Sequence, residues 1–194
     1  MSNKEDSYKL SDESDFQDAD ELYALALLSE VIGDDETLEL FLKSAEKGNL
    51  DAQYNLGDMY LKGRNAPQDF SEAFKWFQRA AEQGHSGAQV ELGLAYIYRN
   101  GGNNEPDYES AVNWFYKSSE QGNAKAQLNL GTSYATGQGV KQDHKKAIVL
   151  YQKAAEQGYA GGQFNLGLMY YNGEGVEQDY VTAYTWYNIA AAKG

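Results

Sequence analysis

The residues that could perform acid–base or metal chemistry are few, and they form no recognised catalytic motif. The chain has 194 residues with two histidines and no cysteine, which excludes thiol catalysis and thiolate metal sites. His85 and His144 belong to no His-Glu-x-x-His pattern. The segment Gly84–Gly87 has some likeness to a nucleophile turn, but it joins two predicted helices and follows no strand. We therefore predict that the protein is not an enzyme and holds no metal or cofactor.

An aspartate recurs at one register throughout the chain, which indicates a structural role. These residues are Asp69, Asp107, Asp143 and Asp179. A carboxylate at the start of a helix accepts hydrogen bonds from unpaired backbone N–H groups, so each aspartate is predicted to be an N-cap. Glu72 predicts a reciprocal capping box in the first unit only. His144 occupies the position of an aromatic residue in the other units and is interpreted as a packing residue.

Two glycine series show that the chain is built from tandem units. A Leu-Gly pair recurs with steps of 36, 38 and 36 residues, at Leu56, Leu92, Leu130 and Leu166. A second series closes the units at Gly48, Gly84, Gly122, Gly158 and Gly194. Because the two series stay in phase, they indicate a repeat protein. We predict four units, at 45–80, 81–118, 119–154 and 155–190, and the start of a fifth within 45–194.

Each unit is predicted to contain two helices joined by a glycine-rich turn. In the first helix, Ala52, Leu56 and Met59 form the apolar stripe of an amphipathic helix. A second apolar face, which includes Trp76, follows the aspartate. The predicted fold is all-α, an α/α superhelical solenoid of tandem antiparallel helix pairs.

The glycine of each Leu-Gly pair lies inside a helix, where glycine costs about 1 kcal/mol relative to alanine. Its repetition predicts close approach of a neighbouring helix. We expect a tryptophan to fill the space, namely Trp76, Trp114 or Trp186. The smaller Leu150 at this register predicts a weaker joint in the third unit.

The first 44 residues do not carry the full repeat. Residues 1–20 hold seven acids and two lysines with little apolar material, so they are predicted to be a disordered acidic segment. Residues 21–44 are predicted to be a degenerate capping helix pair, which an open-ended solenoid requires.

The repeated pattern resembles the Sel-1-like repeat family, a relative of the tetratricopeptide repeat. Residues 155–179 carry the pattern most completely, including Ala155, Gln163, Leu166 and Gly167. The resemblance implies a right-handed superhelix that acts as an adaptor or scaffold, and some similar proteins neutralise toxins. Without cysteine, the chain departs from the disulfide-linked branch once linked to β-lactam hydrolysis. It also has two extra residues in the turn 100–104.

The net charge of −13 restricts the partners. It disfavours nucleic acid and would attract a basic protein, although it could also serve solubility alone. No apolar run approaches the roughly 18 residues of a membrane span, so no membrane insertion is expected. The N-terminus lacks a signal sequence, which predicts a cytoplasmic protein as the chain is written, or a periplasmic or secreted one if a signal was removed.

Binding residues are expected at exposed positions that differ between units. By analogy with tetratricopeptide repeats, the first helix of each pair lines the concave face. The second and fourth units are the most apolar there. We predict a partner-binding groove of Asp58, Leu61, Leu94, Ile97, Tyr98, Leu168 and Tyr171. One more register, two residues before the leucine of each Leu-Gly pair, could also face this groove. In the alternative interpretation its residues pack on the next helix; they are Tyr54, Val90, Leu128 and Phe164.

The predicted function is a protein–protein interaction adaptor or scaffold that binds a protein or peptide on the concave face. The alternative is a cognate, immunity-type inhibitor whose acidic surface masks a basic effector or toxin. A hydrolase has no support from any residue pattern in the chain. The sequence identifies neither the partner nor the oligomeric state.

Overall fold

The computed structural model describes residues 18–98 and 105–192. Within these ranges the chain forms ten α-helices and no strand, which confirms the all-α solenoid. The helices are α1 (Ala19–Ile32), α2 (Thr37–Glu46), α3 (Leu50–Lys62), α4 (Phe70–Glu82), α5 (Ser86–Tyr98), α6 (Tyr108–Glu120), α7 (Ala124–Thr136), α8 (His144–Glu156), α9 (Ala160–Asn172) and α10 (Tyr180–Ala191). Each helix packs mainly on its neighbours in the chain, as expected of a repeat protein.

The recurring aspartates begin the second helix of each pair, as predicted. Asp69 Oδ1 accepts hydrogen bonds from the backbone N–H groups of Ser71 and Glu72 at 2.8 and 3.0 Å. Its own N–H donates to the carbonyl of Tyr60 at 2.9 Å. The Glu72 carboxylate accepts instead from Lys75 at 2.6 Å, so the predicted capping box is wrong. A backbone bond to the preceding helix takes the place that the box would have filled.

The glycines that close the units adopt left-handed backbone conformations. Gly48 and Gly84 have φ angles of 101° and 100°, and Gly122 and Gly158 have 85° and 80°. An L-residue with a side chain rarely adopts these angles. The chain therefore turns sharply after α2, α4, α6 and α8, and the next pair begins.

The space above each helix glycine is filled by the residue after the predicted one. A Cβ atom at Gly57 would lie 2.5 Å from the Phe77 ring, and one at Gly93 would lie 2.5 Å from the Phe115 ring. The third and fourth units have the same arrangement, with Gly131 against Tyr151 and Gly167 against Tyr187. We call these four contacts the glycine–aromatic seam.

The predicted tryptophan plug is therefore wrong, and the prediction of a weak third joint loses its basis. Trp76 instead packs, half-buried, on the core of α1, α2 and α3. Trp114, Leu150 and Trp186 likewise pack on the core clusters that precede them. In the third unit the seam is complete, because the ring of Tyr151 is buried against Gly131.

The N-terminal helix pair is present and begins earlier than predicted. Asp18 caps α1 by accepting from the N–H of Asp20, so the prediction of disorder is wrong for residues 18–20. Residues 1–17 lie outside the described residues, as do the enlarged turn at 100–104 and the last two residues. Leu40 and Phe41 of α2 are fully buried, so the N-terminal pair contributes side chains to the core as the later pairs do.

A buried glutamine forms the polar part of the joints between units. The Gln53 side-chain amide donates to the carbonyl of Ala45 at 3.0 Å and accepts from Gln83 at 3.0 Å. Gln89 donates to the carbonyl of Ala81 in the same way at 3.1 Å. Because buried amides are costly when unpaired, these bonds define how one pair sits on the next. None of the described helices has the length and hydropathy that a membrane span requires.

Candidate partner-binding surface

We call the exposed side of α3, α5, α7 and α9 the first-helix face. The predicted binding residues lie on these helices with very different exposure. Tyr98 is 76% exposed, Tyr171 51% and Leu168 39%. Leu61, Leu94 and Ile97 are half-buried. The aromatic residues near the helix ends are therefore the most accessible part of the predicted site.

One pocket brings three of the predicted residues together. It has a volume of about 180 Å³ and lies where α3, α4 and α5 meet. Leu61, Leu94 and Tyr98 line it, together with Phe70 and Phe74 of α4. We call it the anchor pocket. The two phenylalanines were missed because the prediction considered the first helices alone, although the aromatic residue that follows the N-cap aspartate was a visible signal.

Glu91 gives the anchor pocket a polar edge. Its carboxylate pairs with Lys125 of α7 at 2.7 Å. Burial disfavours the charged form of Lys125, but the hydrogen bond and the charge of Glu91 outweigh it and raise the pKa of the lysine. Other units have asparagine at the Glu91 position. The pocket is thus apolar inside, with one acid of this unit alone at its rim.

Asp58 is engaged within its own unit. Its carboxylate accepts from Lys62 at 2.7 Å and from Arg64 at 2.8 Å. Arg64 also pairs with Glu30 of α1 at 3.2 Å. Asp58 is therefore part of an ion cluster that joins the N-terminal pair to the first full unit, and it does not line the anchor pocket.

Ile97 faces the core as much as the solvent. Its side chain packs on the cluster that contains Val90, Ala111 and Val112. Truncation of Ile97 would therefore disturb folding as well as any contact with a partner. Tyr98, the next residue, has no such role, because three quarters of it is exposed.

The register of the alternative interpretation packs on the next unit in three of four cases. Val90 is buried, and Leu128 contacts the core around Leu166. Tyr54 stacks on His85 with a ring-centre distance of 4.7 Å. Phe164 differs, since it is 52% exposed beside Tyr187.

Leu168 and Tyr171 form a second apolar group on α9. The Tyr171 ring meets Tyr180 edge-on with 5.3 Å between ring centres. The third unit separates this group from the anchor pocket with Thr132, Ala135 and Thr136 at the corresponding positions. The predicted groove is thus two apolar groups with a polar interval between them.

Both histidines have structural contacts. The Nδ1 atom of His85 accepts from the N–H of Ala88 at 3.0 Å, and its Nε2 lies 3.2 Å from Asp51 Oδ1. His85 is therefore an N-cap of α5, which the sequence did not reveal. His144 is half-buried, and its backbone and Cβ lie close to Gly175. In the described part of the chain no group of three or more His, Cys, Asp or Glu residues is placed to hold a metal ion.

A family model matches nearly the whole of the described chain. It is that of the Sel1 repeat, and it matches residues 34–49, 50–85, 86–123, 124–159 and 160–194. No curated protein matches the chain in sequence at a significant level.

Solved structures share the arrangement of the helices. A Sel1 repeat protein from Oxalobacter formigenes has a TM-score of 0.81 and 30% identity, over 91% of this chain and 74% of that one. A protective antigen of uropathogenic Escherichia coli with an SLR fold has a TM-score of 0.74 and 42% identity. That match covers 81% of this chain and 33% of the antigen, so the chain spans about a third of the antigen's length.

An immunity protein from Pseudomonas aeruginosa also superposes, with a TM-score of 0.59 and 23% identity. The match covers 92% of this chain and 66% of that one. At this identity the likeness concerns the fold alone.

Proposed function

The chain belongs to the Sel1 repeat family, and from this premise we propose that it is an adaptor whose anchor pocket receives an apolar side chain of a partner protein. Sel1 repeat proteins generally mediate protein–protein interaction. The observation that carries the proposal is the pocket, because it is the place where three of the predicted residues meet. Sel1 repeat scaffolds are typically not enzymes, and we propose the same for this chain.

The size of the anchor pocket suits one large side chain. A dry cavity of about 150 Å³ accommodates benzene, so about 180 Å³ accommodates a phenylalanine or leucine side chain. Phe70 at 48% exposure and Tyr98 at 76% exposure form an open mouth. Anchors of this kind concentrate the energy of many interfaces.

The charge around the pocket favours a basic flank on the partner. Glu91 lies at the rim, and its carboxylate has one lysine partner, Lys125. A carboxylate accepts more than one hydrogen bond, so a lysine or arginine beside the apolar anchor would find an acceptor there. The net charge of −13 would also accelerate association with a basic partner.

Capture of partners with a matched pair of variants tests the proposal. Tyr98→Ala removes an exposed ring at the pocket, and Tyr184→Ala removes one of 70% exposure from α10, on another surface. We expect a protein captured by the native chain to be lost with Tyr98→Ala and retained with Tyr184→Ala. Its affinity should fall about 30-fold, as for a hot-spot residue of roughly 2 kcal/mol. A partner that binds both variants with native affinity would exclude the anchor pocket as its site.

A second candidate is the immunity-type inhibitor, which the charge of the N-terminal pair favours. Residues 18–49 contain nine acids and two lysines. In that case the acids of the N-terminal pair, including those of the turn between α1 and α2, would carry the contact with a basic effector. Neutralising the exposed Asp35, Glu36 and Glu46 would then weaken binding by tenfold or more, on the order of 1.4 kcal/mol, while Tyr98→Ala would not. The opposite pattern would support the adaptor.

A further inference from the structure

The third full unit has a charge opposite to that of the rest of the chain. Residues 119–154 contain five lysines and two acids, whereas the chain as a whole has a net charge of −13. Four of these lysines lie within thirteen residues, at Lys141, Lys145, Lys146 and Lys153. Of the other second helices, α2, α4 and α6 contain both acids and bases and α10 contains neither, so this reversal is not a feature of the repeat.

Three of these lysines, Lys145, Lys146 and Lys153, line an apolar groove between α6 and α8. The groove has a volume of about 520 Å³, and Leu130 and Tyr134 of α7 line it. Its sides include Tyr116 and Val149, both 53% exposed. We call it the basic groove. It lies on the second helices and is separate from the anchor pocket.

The lysines of the basic groove have no carboxylate partner among the residues that the structure describes. Elsewhere Lys62, Lys75 and Lys125 form ion pairs of 2.6 to 2.7 Å with acids of the chain. The Nζ atom of Lys146 lies 5.0 Å from the centre of the Tyr134 ring, in a cation–π contact.

Two acids also line the basic groove. Asp143 caps α8 by accepting from the N–H of Lys146 at 3.1 Å. Glu120 of α6 is the other. Three lysines against these two carboxylates leave a net charge of +1 around an apolar floor.

We propose that the basic groove binds an acidic peptide segment of a partner protein. A bulky apolar side chain of the segment would lie between Tyr116 and Val149, and its carboxylates would pair with the lysines at the rim. The apolar floor favours a peptide over a nucleic acid, whose phosphates would leave Tyr116 and Val149 uncovered. The net charge of −13 also repels a long polyanion beyond the patch. The basic groove would bind an acidic segment, whereas the anchor pocket would bind a segment with a basic flank. One chain would therefore hold two segments of opposite charge.

Fluorescence anisotropy with the full chain tests the inference. The probe is a dye-labelled octapeptide, Glu-Glu-Phe-Glu-Glu-Leu-Glu-Glu. The groove variant is Lys145→Gln with Lys153→Gln. The control is Lys62→Gln with Lys75→Gln, which changes the net charge equally at lysines away from the groove. We expect the groove variant to weaken binding about tenfold and the control less than about twofold.

The apolar part of the site is tested with a second pair. Val149→Ser changes an exposed residue of the groove, so the fold should be retained. We expect Val149→Ser to lower the affinity for the peptide. We also expect the native chain to bind a probe with alanine in place of phenylalanine and leucine several-fold less tightly. Equal losses in both lysine variants would overturn the proposal, since they would reflect bulk charge. The absence of binding at millimolar peptide would also overturn it. A third contrary result would be that an oligothymidylate of equal charge binds more tightly than the peptide, with an affinity that Val149→Ser does not change.

Discussion

The glycines of the glycine–aromatic seam and the residues of the first-helix face lie on the same four helices, but they vary in different ways between units. At the seam, all four units place a glycine under the ring of a phenylalanine or tyrosine. On the first-helix face, the position of Tyr98 holds Lys62, Thr136 or Asn172 in the other units. The fold requires one geometry at the seam and imposes none on the exposed face. Positions that differ between units are therefore where binding is best sought.

The largest expected effect is at the seam itself. A Cβ at Gly93 would lie 2.5 Å from the Phe115 ring, which is buried and cannot move freely. We expect Gly93→Ala to lower the free energy of unfolding by about 2 kcal/mol, since overpacking outweighs the gain in helix propensity. Urea unfolding measures the loss.

Gly167→Ala is the matched control for this prediction. A Cβ there would lie 3.0 Å from the ring of Tyr187, which is half-buried and can shift, and 3.1 Å from the backbone carbonyl oxygen of Ala183. Both contacts are longer than the 2.5 Å at Gly93. We expect this variant to remain within about 1 kcal/mol of the native chain. Equal losses at the two positions would show that the rigidity of the seam does not differ between interior and terminal units.

A smaller effect on stability is expected at Ile97, and almost none at the adjacent Tyr98. Ile97 is half-buried on the core, so Ile97→Ala should lower stability by about 1–2 kcal/mol. Tyr98→Ala should change it by less than about 0.5 kcal/mol, because the ring is exposed. Thermal unfolding of the two variants provides the comparison. A destabilised Tyr98→Ala would assign that ring to the fold and remove the main support for the anchor pocket as a binding site.

The smallest effect concerns an N-cap and depends on pH. Hydrogen bonds from the side chain and the backbone of Thr182 hold the pKa of Asp179 below its usual value. A lowered pKa in the folded state stabilises the fold above the unfolded pKa of about 3.9, and this contribution is lost as the pH falls through the folded value.

Asp179→Ala should therefore lower the melting temperature slightly at pH 7, and the difference from the native chain should shrink below about pH 4. Melting curves of both proteins between pH 7 and pH 3 measure it. A difference that stays constant over this range would mean that the carboxylate charge does not contribute.

The repeat made most of the fold predictable, since the glycine and aspartate series define where helices end and begin. The contents of the seam were less predictable. Trp76 and Phe77 are adjacent and both aromatic, and which ring faces Gly57 depends on how the two helices cross. That angle arises from packing between helices and has no local signal in the sequence.

The candidate site was predictable only in part, for a related reason. The first-helix register selected Leu61, Leu94 and Tyr98, which the structure places around one pocket. Their role in binding a partner stays a prediction. It did not indicate that Phe70 and Phe74 of the second helix complete the pocket, because contacts between helices of one pair depend on the length of the turn. The contact of His85 with the N–H of Ala88 was equally hidden, since histidine is not a typical N-cap residue.

The glutamine joints make whole units interchangeable within one chain. Gln89 bonds to the carbonyl of Ala81 as Gln163 bonds to that of Ala155. A chain lacking residues 86–159 would place Gln163 at the position of Gln89, so the amide would again meet Ala81. The scaffold would then be two units shorter with the same type of joint, while the residues that α5 and α8 add to the anchor pocket and the basic groove would be absent. Duplication or deletion of units could therefore exchange binding surfaces as cassettes without a new interface having to evolve.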